Sequence, residues 1–272
     1  MLTVWDAYAG PTLGDALASL RSQDVASRIL VVDNASSVPI AQEDGIEFLR
    51  SPTRIPLGAA RNLGLAHVTT PYVVVWDADD VMLPGTLALL ERGLEADGSL
   101  VAYAAAIVEG PEGPRHQWPR RRLARLVRHR RLFALMHSVW SLYPSTGATI
   151  MRTEAVRAAG GYPSTHSGED WVLGVSLAFR GGLGWTERPG RVYRRHGRSV
   201  WAQHARAGDL LGHARAVRAR LLADPAVPRW VRVALPVIGA AQRTAIVISR
   251  TRRRVVSSRR AGPELDRSAS RR

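Results

Sequence analysis

The sequence predicts an α/β protein in which a mostly parallel central sheet is flanked by helices and followed by a C-terminal helical appendage. Three observations lead there. Short apolar runs rich in β-branched residues, Leu2–Trp5, Arg28–Asp33 and Tyr72–Trp76, suit strands buried on both faces. Helical segments alternate with these runs, the pattern of parallel strands joined by right-handed crossovers. Two of the runs also end in carboxylates, Asp33 and the cluster Asp77, Asp79 and Asp80. In open α/β sheets, ligands bind at the carboxyl ends of the strands.

The elements follow in order. After Leu2–Trp5, residues Pro11–Gln23 read as a helix with Leu13, Ala16, Leu17 and Leu20 on one face and Thr12 as its N-cap. Arg28–Asp33 is a strand ending in the turn-rich Asp33-Asn-Ala-Ser-Ser37, and Glu47–Arg50 a further strand. Ala59–Ala66 forms a short helix, Tyr72–Trp76 a buried strand, Pro84–Glu95 a helix with proline in its first turn, and Leu100–Val108 another strand. Downstream, Pro119–Met136 reads as a helix. Ser167, three residues before Asp170, has the spacing of a helix N-cap for a helix running to about Arg180.

The 272 residues, 46% of them hydrophobic, suffice for one large domain plus the appendage. Cysteine is absent, which excludes disulfides, thiolate zinc sites and a cysteine nucleophile. No basic segment followed by a long apolar one opens the chain, so no signal peptide is expected. The net charge of +15 is local: the eight arginines from Arg115 to Arg131, and the nine from Arg250 to Arg272 set against Glu264 and Asp266, account for all of it. Basicity confined to a loop and a tail argues against a nucleic-acid-binding core and for contact with an anionic acceptor or phospholipid.

The chemistry concentrates in three places. Asp77, Asp79 and Asp80 repel one another, an arrangement that a divalent cation would relieve. Arg61, near a helix start, lies where a guanidinium reaches a phosphate. Glu169 and Asp170 open a helix after the glycine-rich Gly160–Gly168, where backbone amides would keep a general base ionised. His196, in Tyr193-Arg-Arg-His196, gains a role only if the fold returns it to the aspartates, where imidazole ligates metal.

Asp33-Asn-Ala-Ser36, Ala60-Arg-Asn-Leu-Gly64, Trp76-Asp-Ala-Asp-Asp80 with Pro84, Gly160-Gly-Tyr162, Gly168-Glu-Asp-Trp171 and Tyr193-Arg-Arg-His196 occur in that order. Together they resemble a family 2 glycosyltransferase with the GT-A fold, from about Leu2 to Trp201. The resemblance implies an inverting transfer of sugar from a nucleotide-diphosphate sugar to an acceptor that is a polysaccharide, a lipid-linked sugar or a small molecule. It implies Asp33 at the base or ribose, Arg61 beside the nucleotide, and Asp77 and Asp79 as the Asp-x-Asp motif. Asp79 would be the main ligand of Mg²⁺ or Mn²⁺. Asp170 would be the catalytic base, Glu169 its acidic neighbour, and His196 a residue completing the metal or diphosphate site. Two departures touch the nucleotide pocket: Asp6-Ala-Tyr-Ala9 stands where the family has a Pro-x-Tyr-Asn type sequence, and Pro56 where glycine is common.

Residues 1–201 are thus read as the catalytic domain, 202–254 as the helical appendage and 255–272 as a basic disordered tail. Trp230–Ser249 is apolar but interrupted by Arg232, Pro236 and Arg243, so it does not match the roughly 20 apolar residues of a spanning helix. Arg232, Arg243, Arg250 and Arg254 fall within roughly 40° on a helical wheel, which suits a helix lying on an anionic membrane, or one packed on the catalytic domain. The expected location is the cytoplasm, with the inner face of the cell membrane as a peripheral surface. Two other function classes fit parts of the pattern: a nucleotidyltransferase on a similar sheet, and a non-catalytic polyanion- or membrane-binding protein on a degenerate transferase scaffold.

Overall fold

A computed structural model describes residues 1–8, 10–38, 40–96, 98–110, 116–118, 125–143, 146–195 and 209–260. His196 lies outside the described residues, as do residues 115 and 119–124 of the first arginine-rich segment and 261–272 of the second. The first half runs β1 (Leu2–Val4), a helical turn (Asp6–Tyr8), α1 (Pro11–Arg21), β2 (Ile29–Asn34), β3 (Ile46–Ser51) and α2 (Leu57–His67). It continues with β4 (Tyr72–Val74), β5 (Trp76–Asp77), β6 (Val81–Met82), α3 (Thr86–Ala96) and β7 (Val101–Glu109). The second half comprises β8 (His116–Trp118), a helical turn (Arg125–Arg128), α4 (Arg130–Val139), β9 (Thr149–Arg152), α5 (Thr153–Ala158), α6 (Glu169–Arg180) and β10 (Leu183–Arg194). Three helices close it, α7 (Leu210–Ala223), α8 (Arg229–Val233) and α9 (Leu235–Arg260).

Two sheets form. The first, in the order β3-β2-β1-β5, is parallel throughout, as the buried apolar runs require. The second, β4-β9-β7-β10-β6 with β8 on β7, is mixed: β7 and β10 are parallel and its other pairs antiparallel. The run Tyr72–Asp77 is therefore not one strand. It changes sheets at Val75, whose carbonyl accepts from Gly147 N at 2.7 Å, while Trp76 N donates to Met1 O at 2.8 Å. The aspartate cluster follows directly and links β5 of one sheet to β6 of the other.

Caps differ from the sequence expectation at two helices. Gly10, not Thr12, precedes α1, because Pro11 already occupies its first position. Gly168, with φ of +73°, precedes α6 and makes no side-chain cap, which leaves Ser167 for another partner. The C-terminal apolar stretch is broken between α8 and α9, where Ala234 caps the first and Leu235 starts the second, with Pro236 in its first turn. Helix α9 continues to Arg260, past the point where a disordered tail was expected.

Helix α6 is apolar on nearly all sides, with Trp171, Val172, Leu173, Val175 and Leu177 buried. Leu173 and Leu177 pack with Tyr103, Phe133 and Tyr143 beside the second sheet. Trp171, Val172 and Val175 pack with Ala214, Val217 and Leu221 of α7, Val231 of α8, and Ile238 and Ile246 of α9. Each such aliphatic or aromatic side chain stabilises the fold by about 1.5–3 kcal/mol.

Candidate active site

Helix α2 organises the site. Its first turn meets the glycine-rich loop, where Gly58 N donates to Thr165 O at 3.1 Å, and a Cβ at Gly58 would overlap the Pro163 carbonyl. One turn on, Asn62 clamps the backbone of Tyr162 from both sides, accepting from Tyr162 N at 2.9 Å and donating to Tyr162 O at 2.7 Å. Gly160 and Gly161 precede it with φ of +79° and +64°, backbone that glycine adopts without strain. This clamp fixes the loop that leads into Glu169 and Asp170.

Arg61, between these contacts, is buried and not turned out to solvent. Its Nη1 donates to Glu169 Oε1 and its Nη2 to Asp77 Oδ1, the latter at 3.1 Å. One guanidinium thus joins the aspartate cluster to the start of α6. Burial works against the Arg61 charge, but Glu169 and Asp77 outweigh it and hold the guanidinium above the usual arginine range.

On the other side of Asp77 stands Arg191 of β10, a residue the sequence motifs did not single out. Its Nη1 donates to Asp77 Oδ2 at 3.2 Å and to Asp80 Oδ2 at 2.8 Å, while Arg194 N donates to Asp80 Oδ1 at 3.0 Å. Asp80 is fully buried, Asp79 nearly so, and Asp77 keeps 28% of its side chain exposed. Gly147, at φ of +72°, leaves room for the Arg191 guanidinium, which a Cβ there would overlap. The mutual repulsion of the aspartates is therefore relieved in part by two arginines, which composition alone could not reveal.

Among the described residues no group of three His, Cys, Asp or Glu side chains is arranged to hold a metal ion. Asp77 and Asp79 still fit the hard-oxygen chemistry of Mg²⁺ or Mn²⁺. Ions of this kind are commonly held by one or two carboxylates, with substrate phosphates and water filling the shell. Two polar atoms beside Asp77, Arg61 Nε and Glu169 Oε2, are buried without a hydrogen-bond partner, a deficit that bound ligand or ordered water removes.

Asp170 is half-buried and accepts from Trp171 N at 2.7 Å. The amides at the helix start were expected to lower its pKa. Burial outweighs that hydrogen bond and the nearby Arg61, and raises the carboxyl above its ordinary value. Glu169 is raised as well, by burial against the opposing pull of Arg61. A second unforeseen residue touches this segment from outside: His213 of α7 lies against Gly168, and its Nε2 is 2.7 Å from Ser167 Oγ. Only its position in the appendage, far along the chain, hid it.

Asp33 stands apart from this network. Its Oδ1 accepts from Ser36 N at 2.9 Å, across a turn in which Ala35 has φ of 55°, and its Oδ2 accepts from Arg50 Nη1. Beside that turn, Asp6 accepts from Ser37, and Arg54 lies 4.4 Å over the Trp5 ring. The structure therefore brings Arg61, Asp77, Asp79, Glu169 and Asp170 to one place, with Asp33 at the end of the neighbouring β2.

Residues 6–158 match the family model described as Glycosyl transferase family 2. The pre-mycofactocin glycosyltransferases of Mycobacterium tuberculosis strains CDC 1551 / Oshkosh and ATCC 25618 / H37Rv are each 36% identical over 162 residues, covering 56% of this chain and 33% of theirs. The chain spans about one third of the length of these relatives. Residues 1-349 of S. aureus TarS in complex with UDP-GlcNAc give a TM-score of 0.62 at 15% identity, covering 82% of this chain and 66% of that one. A second structure of the same TarS segment gives 0.61 at 14% identity, covering 89% of this chain and 68% of that one. That likeness fixes the fold as GT-A. With the family match extending over more than half of its length, the chain belongs to glycosyl transferase family 2.

Proposed function

We propose that this glycosyltransferase moves a sugar, with inversion at the anomeric carbon, from a nucleotide-diphosphate sugar to an acceptor hydroxyl, with help from a divalent ion. The observation that supports the reading is Arg61 bridging Asp77 and Glu169, which brings the carboxylates at the start of α6 beside the aspartates that begin at the end of β5. The UDP and UDP-GlcNAc complexes of TarS support a nucleotide-sugar donor.

In this reading Asp33, held by Ser36 N and Arg50, meets the base or ribose. Asp79, with Asp77, holds Mg²⁺ or Mn²⁺, which when bound supplies a Lewis acid for the charge growing on the leaving diphosphate. Asp170 takes the proton of the acceptor hydroxyl as that oxygen bonds to the anomeric carbon. The bond to the diphosphate breaks in the same step, and the nucleoside diphosphate leaves with the electron pair. Such a base contributes about 10²- to 10⁴-fold. Glu169 and Arg61 hold the start of α6 in place for it. The role of His196 at the metal or diphosphate belongs to the same proposal.

The test is a panel of UDP-, GDP- and dTDP-linked sugars with Mg²⁺ or Mn²⁺, scored by thermal stabilisation and by nucleotide release. Stabilisation that requires both metal and Asp79, lost in Asp79→Ala, supports the donor assignment. Turnover lost in Asp170→Asn with donor binding kept supports the base. Turnover that survives Asp170→Asn would point to nucleotidyl transfer. Absence of binding to every donor under every metal condition would sink the reading.

A further inference from the structure

The described residues expose nine large apolar side chains, and five of these, Trp230, Val233, Val237, Val247 and Ile248, lie on α8 and α9. Val233 and Val237 are 82% and 71% exposed, values at which a valine covers nothing of its own protein. On α9 the exposed positions Val237, Ala240, Thr244, Val247 and Ile248 span roughly 100° of the wheel, at about 100° per residue. The opposite side, Ile238, Gln242 and Ile246, is buried, with Gln242 Nε2 donating to Ser138 O at 2.8 Å. Helix α9 therefore has two apolar faces, one used by the fold and one left open.

Arginines border the open face. Arg243 is exposed beside it, and Arg218 of α7 and Arg243 both approach Gly239. Burial, then the like charges of Arg243 and Arg215, hold Arg218 below the usual arginine range. Arg232, expected on the same cationic stripe, turns inward instead and donates to Asp224 O at 2.9 Å. Arg218 too turns toward the used face, where its Nη1 donates to Gln242 Oε1, so the exposed cations beside the stripe are Arg243 of α9 and Arg215 of α7.

We propose that α8 and α9 dock on an anionic lipid surface, with the Val233–Ile248 stripe entering the acyl boundary and the exposed Arg215 and Arg243 meeting headgroup phosphates. A surface that joins an apolar stripe to cations suits a lipid interface, which offers apolar chains and anionic groups in adjacent layers. No helix among the described residues is long and apolar enough to cross a membrane, so the contact lies on the surface. A second copy is a poorer partner: two-fold pairing of this face would set one arginine border close to another. This docking is independent of the sugar-transfer reading.

The experiment is co-sedimentation of the full chain with vesicles of phosphatidylglycerol mixed into phosphatidylcholine, against phosphatidylcholine alone, together with light scattering of the protein by itself. Binding to the anionic vesicles is expected, weakening as salt is raised past about 0.1 M, where screening sets in near 10 Å. The pair Arg215→Gln and Arg243→Gln should lower partitioning about fivefold per arginine. The triple variant Val237→Asp, Val247→Asp and Ile248→Asp should abolish it. Leu222→Asp, an exposed residue of α7 outside the stripe, serves as the control and should bind as the parent does. Circular dichroism checks that each variant is folded. No vesicle binding, equal binding to both vesicle types, or self-association through the stripe in place of vesicle binding would each overturn the proposal.

Discussion

Arg191 donates to Asp80 at 2.8 Å, and both side chains are closed to solvent. The arginine sits near the end of the last strand of the second sheet, the aspartate at the link between the sheets, and the ion pair ties them across 111 residues of chain. Removing one partner of a buried pair leaves the other uncompensated, at a cost of about 3–5 kcal/mol. Arg191→Ala should therefore lower unfolding free energy in urea by about that much, and weaken donor binding because Asp77 loses the same guanidinium.

Gly147→Ala probes the same pair without touching a charge. Left-handed backbone costs an L-residue about 1–2 kcal/mol, and the new methyl would also displace the Arg191 guanidinium. The variant should show a lower melting temperature and weaker metal-dependent donor binding than a control substitution at Gly10, whose surroundings are open.

The acids of α6 give opposite pH signs for stability and activity. Burial raises Glu169 and Asp170 above their ordinary values, so the folded chain holds these protons to higher pH than the unfolded chain. Their contribution to stability is present below the unfolded pKa and is lost as pH rises through the raised folded range. In the proposed reaction turnover runs the other way, because Asp170 must be unprotonated to act as the base. The acid limb of kcat/KM should lie above 3.8, the ordinary aspartate value, and as a property of the adjacent pair it should move to lower pH in Glu169→Gln. A limb that stays in place in that variant would argue against coupling.

His213 tests whether the C-terminal helices contribute to chemistry. Its contact with Ser167 supports the loop just before the proposed base, and a misplacement near 1 Å costs up to about 10²-fold. His213→Ala should reduce kcat within that range and leave the donor KM unchanged, with partial recovery in His213→Gln. Equal loss in kcat and donor affinity would instead indicate general damage to the fold.

Much of this was legible in the sequence because the informative residues are local. Apolar runs of a few residues mark β2 and β4–β5, and Asp77–Asp80 follows its strand directly. The pairing of Arg61 with Glu169 joins two motifs that were recognisable separately. What remained hidden depends on long-range assembly. The change of sheet at Val75 is decided by Met1 and Gly147, neither of which alters the apolar pattern of Tyr72–Trp76. Arg191 looks like any arginine in a basic run until β10 is laid beside β6. Glu169 and Asp170 were read from the helix start alone, where amides favour the charged form, whereas the surrounding protein favours the neutral one.

Helix α6 carries its candidate base at one end, while its outer flank, Trp171, Val172 and Val175, is covered by α7, α8 and α9. A protein truncated near residue 201 would lay that flank bare, and aggregation is the expected fate of such a fragment. The last three helices meanwhile turn different residues outward. Their inner surface is constrained by the fold they complete, their outer one is not, and substitutions can change what the second meets without disturbing the first.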